Sequence, residues 1–179
     1  MPTILEEIPV ELRLFIKHLR FARSSANLTQ KQLAEMTGLT SNYLSRVENE
    51  QVTIGIDSMA LISQALEIPL YQIFDPLLIK QYSDIPESWK AYKPLIDNTM
   101  GIPFERKVIA SNFKTLRLSQ GYTQDNIVEQ APINKRFLVG FEKGRYGIAL
   151  DNALKLSRLL MVPLKELLIP SQIKQHIQP

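Results

Sequence analysis

Apolar residues recur at helical spacing in short blocks along most of the chain, and polar residues, proline or glycine separate these blocks. In the first block Leu12, Phe15, Ile16 and Leu19 recur every three or four positions, the spacing that places side chains on one face of a helix. Pro9 precedes this block, and proline is tolerated in the first turn of a helix. Because no segment alternates apolar and polar residues as a strand does, the pattern predicts an all-α fold.

Further short helices follow at once. Thr29 is a good N-cap for a second helix, and Thr40 is a good N-cap for a third. Asp57 or Ser58 begins a fourth helix, and Pro69 separates that helix from a last short turn. The pattern therefore predicts one small domain of four or five helices.

The same pattern returns later in the chain. A shift of 94 positions aligns residues 8–74 with residues 102–168 without a gap and gives 16 identities in 67 positions. Such a match predicts two tandem copies of one domain, which we call the first unit (8–74) and the second unit (102–168). Residues 75–101 connect the units, and residues 169–179 form a C-terminal tail with no readable pattern.

The connector, residues 75–101, is rich in aromatic and aliphatic residues, including Tyr82, Trp89 and Tyr92, and it contains almost no glycine or serine. A flexible linker has the opposite composition. We therefore expect an ordered, partly helical connector that packs on one or both units, with a dimer contact as the alternative.

Composition excludes several classes of protein. The chain has 179 residues, is 45% hydrophobic and 22% charged, and contains no cysteine, so disulfides and thiolate sites are excluded. His18 and His176 lie far apart, and no metal-ligand cluster, phosphate-binding loop or nucleophile with a base is evident. We expect no catalytic residues, no metal and no cofactor. The start of the chain does not resemble a signal peptide, and no apolar run is long enough for a membrane span, so a cytoplasmic protein is expected.

Charge is divided unevenly between the two units. The first unit has six Lys and Arg against six Asp and Glu, which gives zero, whereas the second has eleven against six, which gives +5. Because neutralisation of phosphates drives affinity for nucleic acid, this asymmetry points to a polyanionic partner for the second unit.

The third predicted helix has an unusual outer face. Its polar side chains are Ser41, Asn42, Ser45, Arg46 and Asn49, which are hydrogen-bonding groups with a single charge. Amide and guanidinium groups suit the base edges of a major groove. On this feature alone, a plain polar surface is an equally good interpretation.

The stretch LTQKQLAEMTGLTSNYLSRVENE, residues 28–50, resembles the Cro and phage-repressor helix-turn-helix family, also called the XRE family. The resemblance covers residues 8–74 and, more loosely, residues 102–168. It implies two tandem helix-turn-helix domains with a lambda-repressor-like fold.

The resemblance also implies roles for residues of the first unit. Residues facing the bases would be Ser41, Asn42 and Arg46 with Ser45 nearby, and residues meeting the DNA backbone would be Thr29, Gln30, Asn49 and Gln51. Arg23 and Glu48 would form a structural ion pair that ties the first helix to the third.

The second unit keeps part of this set. It has Lys135 and Arg136 at the leading base positions, Thr123, Gln124, Lys143 and Arg145 at backbone positions, and Arg117 with Glu142 as the ion pair. Pro132 replaces the turn glycine, Val128 replaces a small alanine, and Gly140 stands where the first unit has Arg46. These changes leave open whether the second unit reads bases or only grips the backbone, and we expect Gly140 to allow close approach of the helix backbone to the groove.

Together these features predict a sequence-specific regulator of transcription that binds double-stranded DNA as a repressor of its own or a neighbouring promoter, with reading helices near 41–49 and 135–143. One chain covers two unequal half-sites, and a homodimer would cover four. The alternative is an antitoxin-like regulator whose second unit binds a protein partner or a second copy. We expect no small-molecule ligand, no membrane partner and a bacterial or phage-like, nucleoid-associated location.

Overall fold

The computed structural model describes residues 8–78 and 103–170, and regular structure in both segments is helical. The first segment contains α1 (Val10–Ser25), α2 (Gln30–Thr37), α3 (Ser41–Glu48), α4 (Ile56–Ala65) and α5 (Leu70–Ile73). The second contains α6 (Phe104–Ser119), α7 (Gln124–Gln130), α8 (Lys135–Glu142), α9 (Leu150–Leu159) and α10 (Leu164–Leu168). The all-helical prediction is confirmed for the described residues, and the fourth helix begins slightly before the predicted Asp57.

Each helix of the first unit has a counterpart near the position 94 residues later. α1 and α6 both have 16 residues, α3 and α8 both have 8, and α4 and α9 both have 10. The left-handed backbone positions that follow the helices also correspond, in the pairs Asn27 and Gly121, Glu50 and Gly144, and Glu67 and Met161. The chain therefore repeats the path of the backbone as well as the sequence pattern.

The turn between the second and third helices differs between the units. Gly38 ends α2 in the left-handed conformation, with φ of 71°. At the equivalent place α7 ends at Gln130, and Ala131 is extended with φ of −121°. Pro132 explains this difference, since a proline disfavours helical backbone at the residue before it.

Helix termini are capped in both units. Thr29 and Gln32 form a capping box at the start of α2, as the sequence pattern predicted for the first unit. Thr123 and Asn126 form the same box at the start of α7, which the sequence pattern did not predict because asparagine is shorter than the usual Glu or Gln. These caps fix where α2 and α7 begin.

The two units contact each other through equivalent residues. Ile56 N donates to Ile148 O and Leu150 N donates to Ile54 O, each at 2.9 Å. Since 54 and 56 correspond to 148 and 150, the two hydrogen bonds are exchanged by a local two-fold relation. An interface in which the same patch of each partner meets its copy is the arrangement of a symmetric dimer, here within one chain.

Apolar packing extends across this interface. The buried core includes Phe15 and Leu44 of the first unit with Phe113 and Phe141 of the second, and α5 packs against α10. Burial of such side chains is the main stabilising contribution to folding. The two units therefore share a continuous core.

Most of the predicted connector, from residue 79 onward, and the tail from residue 171 lie outside the described residues, so their order stays a prediction. Within the described part of the chain no helix is long and apolar enough to span a membrane.

Candidate nucleic-acid interface

Helix α3 is held in place by a cap at its N-terminus and by one buried, apolar side. The hydroxyl of Thr40 accepts a hydrogen bond from Tyr43 N at 3.1 Å, which satisfies a free N–H of the first turn. Leu44 and Val47 are fully buried in the core. The opposite side of α3 therefore faces solvent at a fixed orientation.

The exposed side of α3 carries the side chains predicted to read bases. Ser41, Asn42 and Arg46 are exposed, and Ser45 is half-buried. Asn49 and Gln51, predicted to meet the DNA backbone, are exposed just after α3, with the Asn49 amide 3.4 Å from the Ser45 hydroxyl. These side chains therefore lie along the exposed side of α3 and directly after it.

A buried carboxylate ties α3 to the rest of the first unit. Glu48 accepts hydrogen bonds from Arg23 Nε at 2.9 Å and Nη2 at 3.0 Å, and from Gln30 Nε2 at 2.8 Å. Arg20, which the sequence reasoning missed, adds a longer contact from its Nε at 3.8 Å and a hydrogen bond to the Glu48 carbonyl. The paired geometry of an arginine fork on a carboxylate fixes the position of α3 relative to α1 and α2.

The second unit repeats this network. Arg117 Nη2 donates to Glu142 Oε2 at 3.0 Å, and Gln124 Nε2 donates to the same oxygen at 2.8 Å. Arg117 also donates to the carbonyl of Tyr122, as Arg23 does to that of Leu28. The amides of Gln30 and Gln124, predicted to contact phosphate, therefore also hold the third helix of each unit in place.

Helix α8 presents a cationic surface. Asn134 Oδ1 accepts from Phe137 N at 2.7 Å and caps the helix, so Pro132 lies in the turn before it, as predicted. Lys135 and Arg136 are exposed at its start. Lys135 lies 2.7 Å from a carboxylate oxygen of Asp125, but both side chains are more than half exposed, so this pair contributes little to stability.

The expectation for Gly140 requires a correction. Gly140 is buried, because the ring of Tyr146 lies directly over it and would collide with any Cβ at this position. The glycine therefore makes room for an aromatic side chain and does not expose the backbone of α8. Sequence reasoning missed Tyr146, and its only signal was an aromatic residue where the first unit has Val52.

Other predicted backbone-contacting residues of the second unit lie directly after α8 and at the start of α7. Lys143 and Arg145 are exposed directly after α8. Thr123 is the N-cap of α7, and its hydroxyl is bonded to Asn126, as that of Thr29 is to Gln32. Within residues 8–78 and 103–170 no group of His, Asp and Glu side chains is placed to hold a metal ion.

The contact between the two units has an ion pair at one edge and an open cleft at the other. On one side Arg106 forms an ion pair with Asp57, with Nε 3.1 Å from Oδ1. The equivalent of Arg106 in the first unit is Leu12, and on that side an open cleft of about 360 Å³ lies between Leu12 and Asp151. The local two-fold relation is therefore imperfect.

Comparison with known proteins agrees with the geometry of the first unit. Residues 19–73, from the middle of α1 to the end of α5, match the family model of helix-turn-helix domains. Residues 19–73 form a helix-turn-helix domain.

A relative described as a Neisseria hypothetical transcription factor, from Neisseria meningitidis serogroup B, is 28% identical to the chain over 85 residues. The aligned part is 44% of this chain and 80% of the relative. The crystal structure of a hypothetical transcription factor from Neisseria is 28% identical, covers 41% of this chain and 85% of its own, and superposes with a TM-score of 0.40.

Proposed function

We propose that the chain is a sequence-specific, double-stranded DNA-binding transcriptional regulator that inserts α3 and α8 into major grooves. The observation that carries this proposal is the exposed face of α3, where Ser41, Asn42 and Arg46 project from a helix fixed by the Arg23–Glu48 pair. The helix-turn-helix match and the transcription factor among the relatives support the same activity.

The second unit acts as a second helix-turn-helix head. Its α7 and α8 repeat the caps and the carboxylate network of α2 and α3, and Lys135, Arg136, Lys143 and Arg145 supply positive charge beside α8. Contacts to phosphates provide affinity and register, and contacts to bases provide sequence choice. We infer that the two heads share these tasks unequally.

The contact between the units determines the form of the operator. Because the reciprocal hydrogen bonds relate the units by a local two-fold, the operator is an imperfect inverted repeat whose half-sites lie in successive major grooves. Two such grooves on one side of B-DNA are about 34 Å apart. A single chain therefore binds both half-sites, as a dimer of one-domain chains would. Occupancy of a promoter by the chain represses transcription.

Selection from random duplexes tests the proposal. The full-length chain is used to enrich binding sequences, the enriched operator is footprinted, and the mass of the complex is measured by analytical ultracentrifugation. We expect an imperfect inverted repeat bound by one chain. Failure to enrich any sequence would contradict the function, whereas enrichment of a direct repeat would contradict only the two-fold arrangement.

Half-site spacing provides a second test. Insertion of two base pairs between the half-sites rotates one groove away from its head, so affinity should fall sharply for the wild-type chain. In Arg106→Leu, which copies Leu12 of the first unit, loss of the ion pair with Asp57 should make the penalty smaller. If the second unit instead holds a protein partner, the insertion will not change the affinity.

A further inference from the structure

An aromatic side chain occupies the reading surface of α8 at the place where α3 carries Arg46. Tyr146 is 43% exposed, and its ring is stacked on that of Phe137 with centroids 6.3 Å apart and planes 11° apart. Phe137 is stacked in turn on Phe141, with centroids 6.2 Å apart. The ring lies against the backbone at Gly140, so contacts with Gly140 and Phe137 hold it while part of the side chain stays exposed.

The surroundings of this ring are a groove rather than a flat surface. Lys135, Arg136, Val139, Arg145 and Tyr146 line it together with Gly140, and its volume is about 400 Å³. Lys135 and Arg136 hold the leading base positions and Arg145 suits a phosphate, which leaves Val139 and the ring as the apolar groups that can meet base edges. The equivalent of Val139 is Ser45, and the equivalent of Gly140, over which the ring lies, is Arg46, so the first unit has hydrogen-bonding residues at both places.

We propose that Tyr146, with Val139 beside it, determines the sequence preference of the second unit by contacting the 5-methyl group of thymine. This inference rests on the proposed function, since it assumes that α8 enters a major groove. The major groove edge of thymine carries a methyl group that apolar side chains recognise. The two half-sites then differ in chemistry, because α3 reads hydrogen-bonding edges and α8 reads methyl groups.

The first step of the test assigns each half-site to its unit. The chain contains no cysteine, so a single cysteine can carry an iron chelate that cleaves nearby DNA. Glu35→Cys in α2 and Glu129→Cys in α7 are a matched pair of exposed, equivalent positions. Each labelled variant cleaves the half-site that lies against its own unit.

The second step removes methyl groups from the DNA. Thymines of the enriched operator are replaced by deoxyuridine, one half-site at a time, and affinity is measured by fluorescence anisotropy. At one or more positions of the half-site cleaved from position 129, we expect affinity to fall about fourfold, the ratio that corresponds to burial of one methyl-sized group. Tyr146→Phe should keep this discrimination, and Tyr146→Ala should bind both duplexes alike.

Each outcome supports or contradicts the thymine contact, the proposed function or both. If deoxyuridine in that half-site leaves affinity unchanged while the operator is still bound, the thymine inference is wrong and the proposed function stands. If Tyr146→Phe loses the discrimination, the hydroxyl group carries it and the methyl contact is wrong. If the chain enriches no duplex, both proposals fail. The deoxyuridine measurement uses the wild-type chain, so it is informative even where Tyr146→Ala folds poorly.

Discussion

The two units of this chain keep the same buried polar network and differ where they face solvent. Arg23, Glu48 and Gln30 of the first unit recur as Arg117, Glu142 and Gln124, with the same hydrogen bonds between them. Removal of the partner of a buried carboxylate is strongly destabilising, so substitution of any single residue of this network would lower the stability of the fold. Exposed positions carry no such constraint.

The exposed faces of α3 and α8 show the consequence. The face of α3 has Ser41, Asn42 and Arg46, whereas that of α8 has Lys135, Arg136 and, over Gly140, the ring of Tyr146. Net charge differs as well, with zero on the first unit and +5 on the second. The comparison suggests a first unit that supplies most of the sequence choice and a second unit that supplies most of the electrostatic affinity.

The largest expected effect distinguishes the two buried ion pairs. Arg117→Ala should cost about 3–5 kcal/mol of the free energy of unfolding, because it removes the guanidinium that donates two hydrogen bonds to the buried Glu142 carboxylate and leaves the neutral amide of Gln124. Arg23→Ala should cost less, since Arg20 remains within 3.8 Å of Glu48. Urea unfolding of the matched variants measures both losses. Equal losses would show that Arg20 does not substitute for Arg23.

The next effect separates base reading from backbone contact. Arg46→Ala or Asn42→Ala should relax sequence preference in the first half-site, each at a cost of about 1–3 kcal/mol against the preferred base. Lys143→Ala should weaken binding to all sequences alike and reduce the salt slope of affinity by about one phosphate contact. Titrations at several salt concentrations on matched and mismatched operators test this. A sequence-dependent effect of Lys143→Ala, with a uniform effect of Arg46→Ala, would reverse the proposed division.

A smaller effect concerns the contact of Gly140 with Tyr146. Glycine within a helix costs about 1 kcal/mol relative to alanine. Gly140→Ala in the wild-type chain must displace the ring of Tyr146, so it should gain little or lose stability. In Tyr146→Val, which copies Val52 of the first unit, the same substitution should gain about 1 kcal/mol. Thermal unfolding of the four chains in this cycle measures the coupling, and additive effects would contradict the contact.

Much of the fold was readable from the sequence because its determinants are local. Thr29 and Thr40 indicate the starts of helices because they are good N-caps, and Pro69 indicates the end of one. The 94-residue offset then locates the equivalent positions in the second unit. The match of Pro132 to Gly38 also located the turn that differs. Local signals of this kind do not depend on how distant segments meet.

What the sequence did not provide depends on such distant contacts. The ring of Tyr146 lies over Gly140 because the segment after α8 folds back, and no periodicity encodes that path. The reciprocal hydrogen bonds of Ile54 and Ile148 involve backbone groups, which have no sequence signature. The roles of the exposed side chains on α3 and α8 remain predictions, because an exposed side chain shows what it contacts only in a complex with its partner.

The last expected effect is a change in pH dependence at a pair of equivalent core positions. His18 is fully buried, and its Nδ1 donates to the carbonyl of Ile73 at 2.6 Å. Its Nε2 has no hydrogen-bond partner among the described residues. In the second unit Asn112 makes the corresponding bond to the carbonyl of Leu167 at 2.9 Å.

Burial lowers the pKa of His18 below its ordinary value of 6.5, because the charged imidazolium loses hydration. As pH falls below about 6.5, the unfolded chain takes up a proton at this residue before the folded chain does. Stability is therefore lost as pH falls from neutral toward the lower pKa of the folded state. His18→Asn should retain the bond to Ile73 and lose this dependence.

Comparison with the wild-type chain isolates the effect of His18. Burial raises the pKa of Glu105, so this carboxyl group contributes stability at low pH that is lost as pH rises above about 4.5. Glu105 is present in both chains, so its contribution cancels in their difference. Urea unfolding at pH 5, 6, 7 and 8 should show a wild-type profile that falls more steeply below pH 6.5, by at most about 1.4 kcal/mol per pH unit. Parallel profiles would mean that burial does not lower the pKa of His18, and this core position would then not contribute to the contrast between the units.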